Sequence, residues 1–280
     1  MTIADIAERA GVSRGAVSYA LNGRPGLAAG TRQRILDIAA ELGWYPNAAA
    51  RALSGAAASA CGLVVARPAR TLAVEMFFLE LIAGIESELA ARKLALTLQV
   101  VEDIDAEMEV LKRWWAERRV DGVFVVDLRV DDPRVPLLEQ LGLPAVIVGG
   151  PDGSGHLPAI WSDDTDAMIA VVRYLAKLGH RRLARVAGRA GFRHTERRTA
   201  AFLGTVAKLG LEGEVVTTDY LAESGAQATR RLLLEPAPPT AIVYDNDVLA
   251  VAGLGVALEL GLAVPDDVSM VAWDDSPYCR

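Results

Sequence analysis

Two cysteines and three histidines in 280 residues leave little material for a disulfide framework or a metal centre. Cys61 and Cys279 suggest no disulfide pairing. His156, His180 and His194 lack metal-ligand spacing. No metal and no cofactor are expected. No apolar run approaches the roughly 18 residues of a membrane span, and the start of the chain has no apolar stretch of the kind that directs secretion. These absences read as a protein of the reducing cytoplasm. Gly149–Gly155 is glycine-rich but lacks the G-K-[ST] of a phosphate loop. Gly11-Val12-Ser13-Arg14-Gly15 fits G-x-S-x-G literally, but it joins two helices, whereas a nucleophile elbow follows a strand. No set of nucleophile and base emerges, so no catalytic residue is assigned and an enzyme is not expected. Trp114-Trp115 reads as packing rather than as a binding platform.

What is present is an ordinary globular composition, 52% apolar and 23% charged, with an uneven charge. The net charge is −7, yet residues 1–55 carry +2 and the remainder −9. A basic head on an acidic body confines attraction for phosphate to the head. In Thr2–Asn22, Ile3, Ile6, Ala7 and Ala10 share one helical face. Thr2 can cap that helix, with Asp5 three residues on. Gly11 permits a turn, Ser13 caps a second helix, and Val17 and Leu21 continue the buried stripe. Two short helices around a tight turn predict a helix-turn-helix whose second helix enters a DNA major groove. A third helix is expected over about Gly30–Leu42. After Trp44–Asn47 comes an alanine-rich turn and a half, Ala48–Leu53, too short to hold alone in water. Gly55–Ser59 reads as a flexible linker.

From Cys61 onward, strand-length apolar runs alternate with helical patterns. The strands are expected at 61–66, 96–101, 122–126 and 145–148, then at 183–187, 214–218, 240–244 and 268–273. Helices are expected between the strands, for example at Met76–Arg92 and Ala106–Arg119 in the first series, and at about 164–178, 195–209, 224–234 and 247–260 in the second. Alternation of this kind argues parallel sheets with helices on both faces, and two series argue two lobes. Pro158–Ser162 is read as a crossing between them. The fold class is therefore an all-α helix-turn-helix head on an α/β two-lobed body. Its domains are 1–46 (DNA-binding head), 47–60 (hinge helix and linker), 61–160 (first lobe) and 161–280 (second lobe). Ligands of such folds sit at the carboxyl ends of the strands.

These residues resemble the lactose-repressor (LacI/GalR) family of bacterial transcription regulators. The likeness is carried by T-I-x-D-I-A-x-x-A-G-V-S at Thr2–Ser13, V-S at Val17-Ser18, L-N at Leu21-Asn22, and Y-P-N-x-x-A-R-x-L at Tyr45–Leu53. R-V-D-G-V (Arg119–Val123), L-G-H-R-R (Leu178–Arg182), T-A-I-V-Y-D-N-D (Thr240–Asp247) and V-P-D-D-V-S-x-V-A-W-D-D (Val264–Asp275) extend it over the whole chain. The resemblance implies a periplasmic-binding-protein-like body and a homodimeric repressor on pseudo-palindromic double-stranded operator DNA. It also implies a small allosteric effector, expected to be a sugar, in the cleft. Relatives continue past Asp275, cross back to the first lobe and add a strand and helices, so the body is expected to lack a return segment.

The resemblance implies base reading by Arg14, Gly15, Ala16 and Tyr19, and phosphate contacts by Ser13, Ser18 and Asn22. Thr2, Asn47, Ala50 and Arg51 join the implied DNA contacts, and Leu53 is the implied minor-groove wedge. Gly15 has no side chain to read with, and Ala16 stands where threonine is common. Ala28 replaces a frequent serine cap of the third helix, and Gly30 lies near its first turn, so a floppier head is expected. For the effector, Phe77, Phe78, Phe192, His194, Arg198, Tyr220, Asn246 and Asp274 match family positions near the ligand, with Tyr220 as the ring-stacking aromatic. A solute-binding protein of the same two-lobed fold is the alternative. It would need a secretion signal and no DNA-reading head, the reverse of what is read here.

Overall fold

The computed structural model describes residues 2–44, 57–72 and 74–279. The chain divides into two compact units, Met1–Ala58 and Ser59–Arg280. The expected hinge helix, with Asn47, Ala50, Arg51 and Leu53, lies outside the described residues.

In the first unit, α1 (Ile3–Ala10), α2 (Arg14–Leu21) and α3 (Ala29–Glu41) pack around Ile6, Ala7, Ala10, Val17, Ala20, Ile35 and Ala39. Ile3, Leu21, Ile38 and Leu42 lean on that core half-buried. Each boundary has a local cause. Asp5 accepts the Thr2 N–H at 2.7 Å, and Gly11 closes α1 in the left-handed region at φ 63°. Ser13 Oγ accepts the Ala16 N–H at 3.2 Å and opens α2. Ala28 starts α3 with no side-chain cap, as its composition predicts. The arginines of α3 act in return on the other helices. Arg34 donates to the Ala10 carbonyl at 3.1 Å, and Arg32 reaches the carbonyls of Tyr19, Ala20 and Arg24. The Ala10 carbonyl at the end of α1 is thereby satisfied, and the Tyr19 and Ala20 carbonyls of α2 gain a second donor beside the N–H groups of Arg24 and Gly23.

The second unit holds two parallel sheets. β1 (Ala60–Ala66), β2 (Ala95–Val101), β3 (Gly122–Val125), β4 (Ala145–Val148) and β5 (Ala159–Ile160) form the first, in the order β2-β1-β3-β4-β5. β6 (Arg182–Ala187), β7 (Glu212–Thr217), β8 (Ala241–Tyr244) and β9 (Ser269–Ala272) form the second, in the order β7-β6-β8-β9. The connecting helices are α4 (Ala69–Leu72), α5 (Met76–Ala91), α6 (Ile104–Ala116), α7 (Arg134–Leu141), α8 (Asp164–Lys177), α9 (Arg193–Lys208), α10 (Ala222–Leu233) and α11 (Asp247–Glu259). The central strands are apolar on both faces because helices cover both. The expected strands and long helices are present within a few residues. Two features go beyond the sequence reading. Part of the segment read as a crossing, Ala159–Ile160, is an edge strand on β4. And α7 fills the interval between β3 and β4, where the alternation implies a helix without fixing its range.

Backbone bonds stitch the two lobes along one side. Val130 N–H donates to the Gly191 carbonyl at 2.9 Å and Arg193 N–H to the Leu128 carbonyl at 2.8 Å, flanking an antiparallel bridge between Arg129 and Phe192. Arg197 adds an ion pair with Asp152 at 2.7 Å.

Candidate functional site: a cleft at the strand ends

A cavity of about 170 Å³ opens where the strands of both sheets end. Arg67 follows β1, Asp127 follows β3, and Gly149 follows β4. Trp161 follows β5, Asp245 and Asn246 follow β8, and Asp274 follows β9. Parallel strands deliver their following loops to one edge, so chemistry from distant parts of the sequence converges there.

Six of the eight effector candidates line this cavity: Phe77, His194, Arg198, Tyr220, Asn246 and Asp274. Phe77 is 46% exposed, whereas Phe78 is buried in the first lobe beside Leu63 and Val65. Adjacent helical residues point about 100° apart, so one of the pair is turned inward. Phe192 packs in the second lobe's core with Tyr220 and Ala184. Phe78 and Phe192 thus stand behind the cavity, against Arg67, whose guanidinium lies 5.5 Å and 5.1 Å from their ring centres. Tyr220 also carries Arg67 over its ring, at 4.9 Å. Its hydroxyl is bonded to His194 Nε2 at 2.9 Å. Burial pushes His194 down to about 4 and raises the Tyr220 hydroxyl, so the imidazole is neutral near pH 7. Trp161, 55% exposed, joins Phe77 as an exposed ring beside the cavity.

Reading the sequence missed Arg67, Glu75, Asp127, Trp161, Asp164, Asp245 and Asp247, all of which line the cavity. The rule that ligands meet strand ends, applied to β1 and β3, would have found Arg67 and Asp127. Arg67 forks onto Asp127 at 2.7 and 3.0 Å and takes Glu75 at 2.8 Å. One guanidinium cannot fully compensate two carboxylates. Burial leaves Glu75 pushed up to about 7, with Arg67 pulling it down and Asp127 and Asp274 adding to the rise. Asp127 stays low because Arg67 and its hydrogen bonds outweigh burial. A carboxyl raised in the fold stabilises it most below its ordinary value of 4.5, and that contribution is lost as pH rises through about 7. Glu75→Gln is therefore expected to match the parent near pH 4.5 and to gain on the order of 2 kcal/mol over it above pH 7. Parallel melting curves for parent and variant at about pH 5 and about pH 8 would show that Glu75 is not the surplus carboxyl.

Arg198 sits on the second lobe's side. It pairs with Asp164 at 3.1 Å, donates to the Asp245 carbonyl at 3.3 Å and lies 4.1 Å over the Trp273 ring. Its Nε has no partner, and neither has Asn246 Nδ2 or Asp247 Oδ2. Of four such buried atoms among the described residues, these three belong to cavity-lining residues. Buried polar groups are ordinarily paired, so three such atoms on residues of one cavity set it apart from the rest of the described core.

On the head, Thr2, Ser13, Arg14, Gly15, Tyr19 and Asn22 are exposed, and Ala16 and Ser18 are half-buried. Asn22 Nδ2 is bonded to the Ser18 carbonyl at 2.9 Å and to its hydroxyl at 3.3 Å. A Cβ on Gly15 would meet only Ser13 Oγ, at 3.8 Å, so the fold does not demand glycine there.

Comparison with known proteins gives these two units a family. Residues 2–47 match the lacI family of bacterial regulatory proteins, and residues 172–280 match a periplasmic binding protein-like domain. The HTH-type transcriptional regulator AglR of Rhizobium meliloti (strain 1021) is 33% identical over 98% of this chain and 78% of its own. A structure of the transcriptional regulator CelR in complex with cellobiose aligns with TM-score 0.70 and 29% identity, covering 99% of this chain and 84% of that one. The lac repressor dimer bound to operator and the anti-inducer ONPF aligns with TM-score 0.84 and 26% identity, over 99% of this chain and 83% of that one. The chain belongs to the LacI family: it is a DNA-binding, non-enzymatic transcription regulator with a ligand-binding body.

Proposed function

We propose that the chain is a homodimeric repressor whose hold on a pseudo-palindromic operator is set by a small sugar between the two lobes. The observation that carries this reading is the group of unpartnered polar atoms, Arg198 Nε, Asn246 Nδ2 and Asp247 Oδ2, on one cavity beside the exposed rings of Trp161 and Phe77. A sugar offers what they lack: hydroxyls for the polar atoms and an apolar ring face for an aromatic. Phe77, His194, Arg198, Tyr220, Asn246 and Asp274 act in the site. Phe78 and Phe192 act from behind, by holding Arg67. The ring-stacking role moves from Tyr220 to Trp161, because Tyr220 is 4% exposed and its ring already faces Arg67.

On the head, Arg14 and Tyr19 read bases and Ala16 meets a methyl edge, while Gly15 lets the backbone approach. Thr2, Ser13, Ser18, Asn22, Asn47, Ala50 and Arg51 hold the backbone, and Leu53 wedges the minor groove. The division is 1–46 for reading, 47–60 for the hinge, and 61–160 and 161–280 for the lobes. Sugar binding draws the lobes into one arrangement and separates the paired hinge segments.

The test is fluorescence anisotropy of the full chain on an operator selected from a randomised palindromic library. Affinity is expected to fall steeply with salt, and to change about 5- to 150-fold when the right sugar is added. Binding that ignores salt sinks the operator reading. An operator affinity unmoved by any sugar, with a body that sugars do bind, sinks the coupling.

A further inference from the structure

Arg67 stands where the first lobe meets the second. It follows β1 and is 3% exposed. Among the described residues, its hydrogen bonds run only to carboxylates of its own lobe. Nε and Nη2 reach Asp127 at 2.7 and 3.0 Å, and Nη1 reaches Glu75 at 2.8 Å. A guanidinium donates in its own plane, so these bonds leave its faces to other contacts. The rings of Tyr220 and Phe192, both from the second lobe, are centred 4.9 and 5.1 Å from its carbon, and Phe78 of the first lobe 5.5 Å away. Arg129 brings a second cation of the first lobe to the Phe192 ring, at 5.8 Å.

The two rings of the second lobe are themselves held. Tyr220 has a left-handed backbone at φ 70°, and its hydroxyl is bonded to His194 Nε2 at 2.9 Å and to Thr195 Oγ1 at 3.3 Å. Gly188 leaves no room for a Cβ against its ring. Phe192 opens α9 and packs in the second lobe's core. The contacts of Arg67 with the two lobes differ in kind. The carboxylates hold it by directed, charge-assisted bonds. The rings hold it by cation–π attraction, which uses no donor. When the lobes part, Arg67 keeps its hydrogen bonds and stays with the first lobe, and no buried donor is stranded. A lysine has neither the fork for Asp127 nor the planar face for the rings.

We propose that Arg67 is a releasable pin between the lobes: a positioning residue, anchored in the first lobe, whose hold on Tyr220 and Phe192 keeps the two cavity walls assembled before a ligand arrives. Lobes of one chain move against each other unless their contact opposes it. Two backbone bonds cross the same junction, from the Val130 N–H to the Gly191 carbonyl and from the Arg193 N–H to the Leu128 carbonyl. Parting of the lobes breaks both, so exchange of these two amides reads how often the lobes part. The consequence for ligand binding rests on the sugar reading above. With the pin, a sugar meets both walls in place. Without it, binding must also bring the walls together, and the apparent affinity falls by the fraction of the time they are apart.

Hydrogen exchange of the full chain without sugar, followed by mass spectrometry, tests the pin. Arg67→Lys keeps a cation for Asp127 and Glu75 but loses the planar face. It is expected to exchange about tenfold faster at Val130 and Arg193. The Val123 N–H, bonded to the Pro144 carbonyl within the first lobe, and the Thr240 N–H, bonded to the Arg182 carbonyl within the second, are expected to keep the parent's rates. Tyr220→Leu removes a ring and leaves the carboxylates of Arg67 in place; the same acceleration is expected of it, and it serves should Arg67→Lys fail to fold. The double variant is expected to exchange no faster than Arg67→Lys alone, because both changes remove one contact. Parent rates at Val130 and Arg193 in both variants overturn the pin. Equal acceleration at Val123 and Thr240 overturns it too, since Arg67 would then serve stability alone. The second arm titrates parent and Arg67→Lys with glucose, maltose and cellobiose, read by tryptophan fluorescence. About tenfold weaker binding by the variant is expected for a sugar that the parent binds. Faster exchange with unchanged sugar affinity overturns the role in assembling the walls. If the parent binds none of these sugars, the sugar reading fails, and the exchange rates decide the pin without it.

Discussion

Replacing Arg185 with methionine is expected to destabilise the body by about 3–5 kcal/mol, the penalty for stranding one member of a buried ion pair. Arg185 lies on β6 with no solvent exposure. Its Nε and Nη2 meet the Asp245 carboxylate at 2.9 and 2.7 Å. Nη1 donates to Thr199 Oγ1 at 2.6 Å, so the same side chain ties β6 to α9. Asp245 in turn accepts the Gly188 N–H at 2.8 Å. Removing the guanidinium leaves the buried carboxylate with that single backbone donor. Urea denaturation followed by tryptophan fluorescence reads the loss. The double change Arg185→Met with Asp245→Leu is expected to recover much of it, because two apolar groups of similar volume leave no stranded charge. A loss for the single change below about 1 kcal/mol would mean that water reaches Asp245 when Arg185 is gone. The same change is expected to weaken ligand binding, since the Asp245 carbonyl accepts from Arg198 at the cavity wall.

That pair shows where reading the sequence stops. The strand at Ala241–Tyr244 is legible because four apolar residues sit between turn signals, and the rule of strand ends places Asn246 and Asp274 near the ligand. Strand ends mark Arg67 and Asp127 as cavity residues, but which charges pair there is not legible, because Asp127 lies 60 residues from Arg67. Arg67 follows an apolar strand and looks like a solvated end, and only Asp127 and Glu75 make its burial tolerable. α7 is similar. It is a short helix with Pro136 inside it, and Arg134, 2% exposed, holds it to Asp132 and to Glu107 of α6 at 2.6 and 2.7 Å. No local propensity announces such a contact. Phe78 and Phe192 stand behind the cavity rather than on its wall for a related reason. Residue type and position are visible in a sequence, but the rotation of a helix against its sheet is set by packing. The head was more legible, because its caps act within three or four residues: Ser13 on Ala16, Asp5 on Thr2. Its expected hinge helix, Ala48–Leu53, lies outside the described residues.

Asp274→Ala is expected to abolish the effector response while leaving operator binding in place. Asp274 lines the cavity just past β9, and burial pushes its carboxyl up to about 6; Arg198 pulls it back, while Asp247, Asp245 and Glu80 push it further. The unliganded body therefore carries a carboxylate that its own structure does not favour. A raised carboxyl contributes stability below its ordinary value of 3.8 and loses that contribution as pH rises through about 6. Near neutral pH, removing it should leave the free body no less stable, and its melting temperature is expected to stay level or rise. A residue that costs stability when free and lines a ligand cavity is repaid when a ligand's hydroxyls satisfy it. Sugar affinity is expected to drop about a hundredfold or more, beyond the reach of ordinary effector concentrations, because a charged acceptor is worth more than a neutral one. Every cavity-lining residue belongs to the second unit, so operator affinity without sugar is expected to equal the parent's. Anisotropy on the operator, with and without the sugar that shifts the parent, reads both halves at once. A normal response removes Asp274 from the site. A lost response accompanied by a lower melting temperature would make it a structural residue of the second lobe instead.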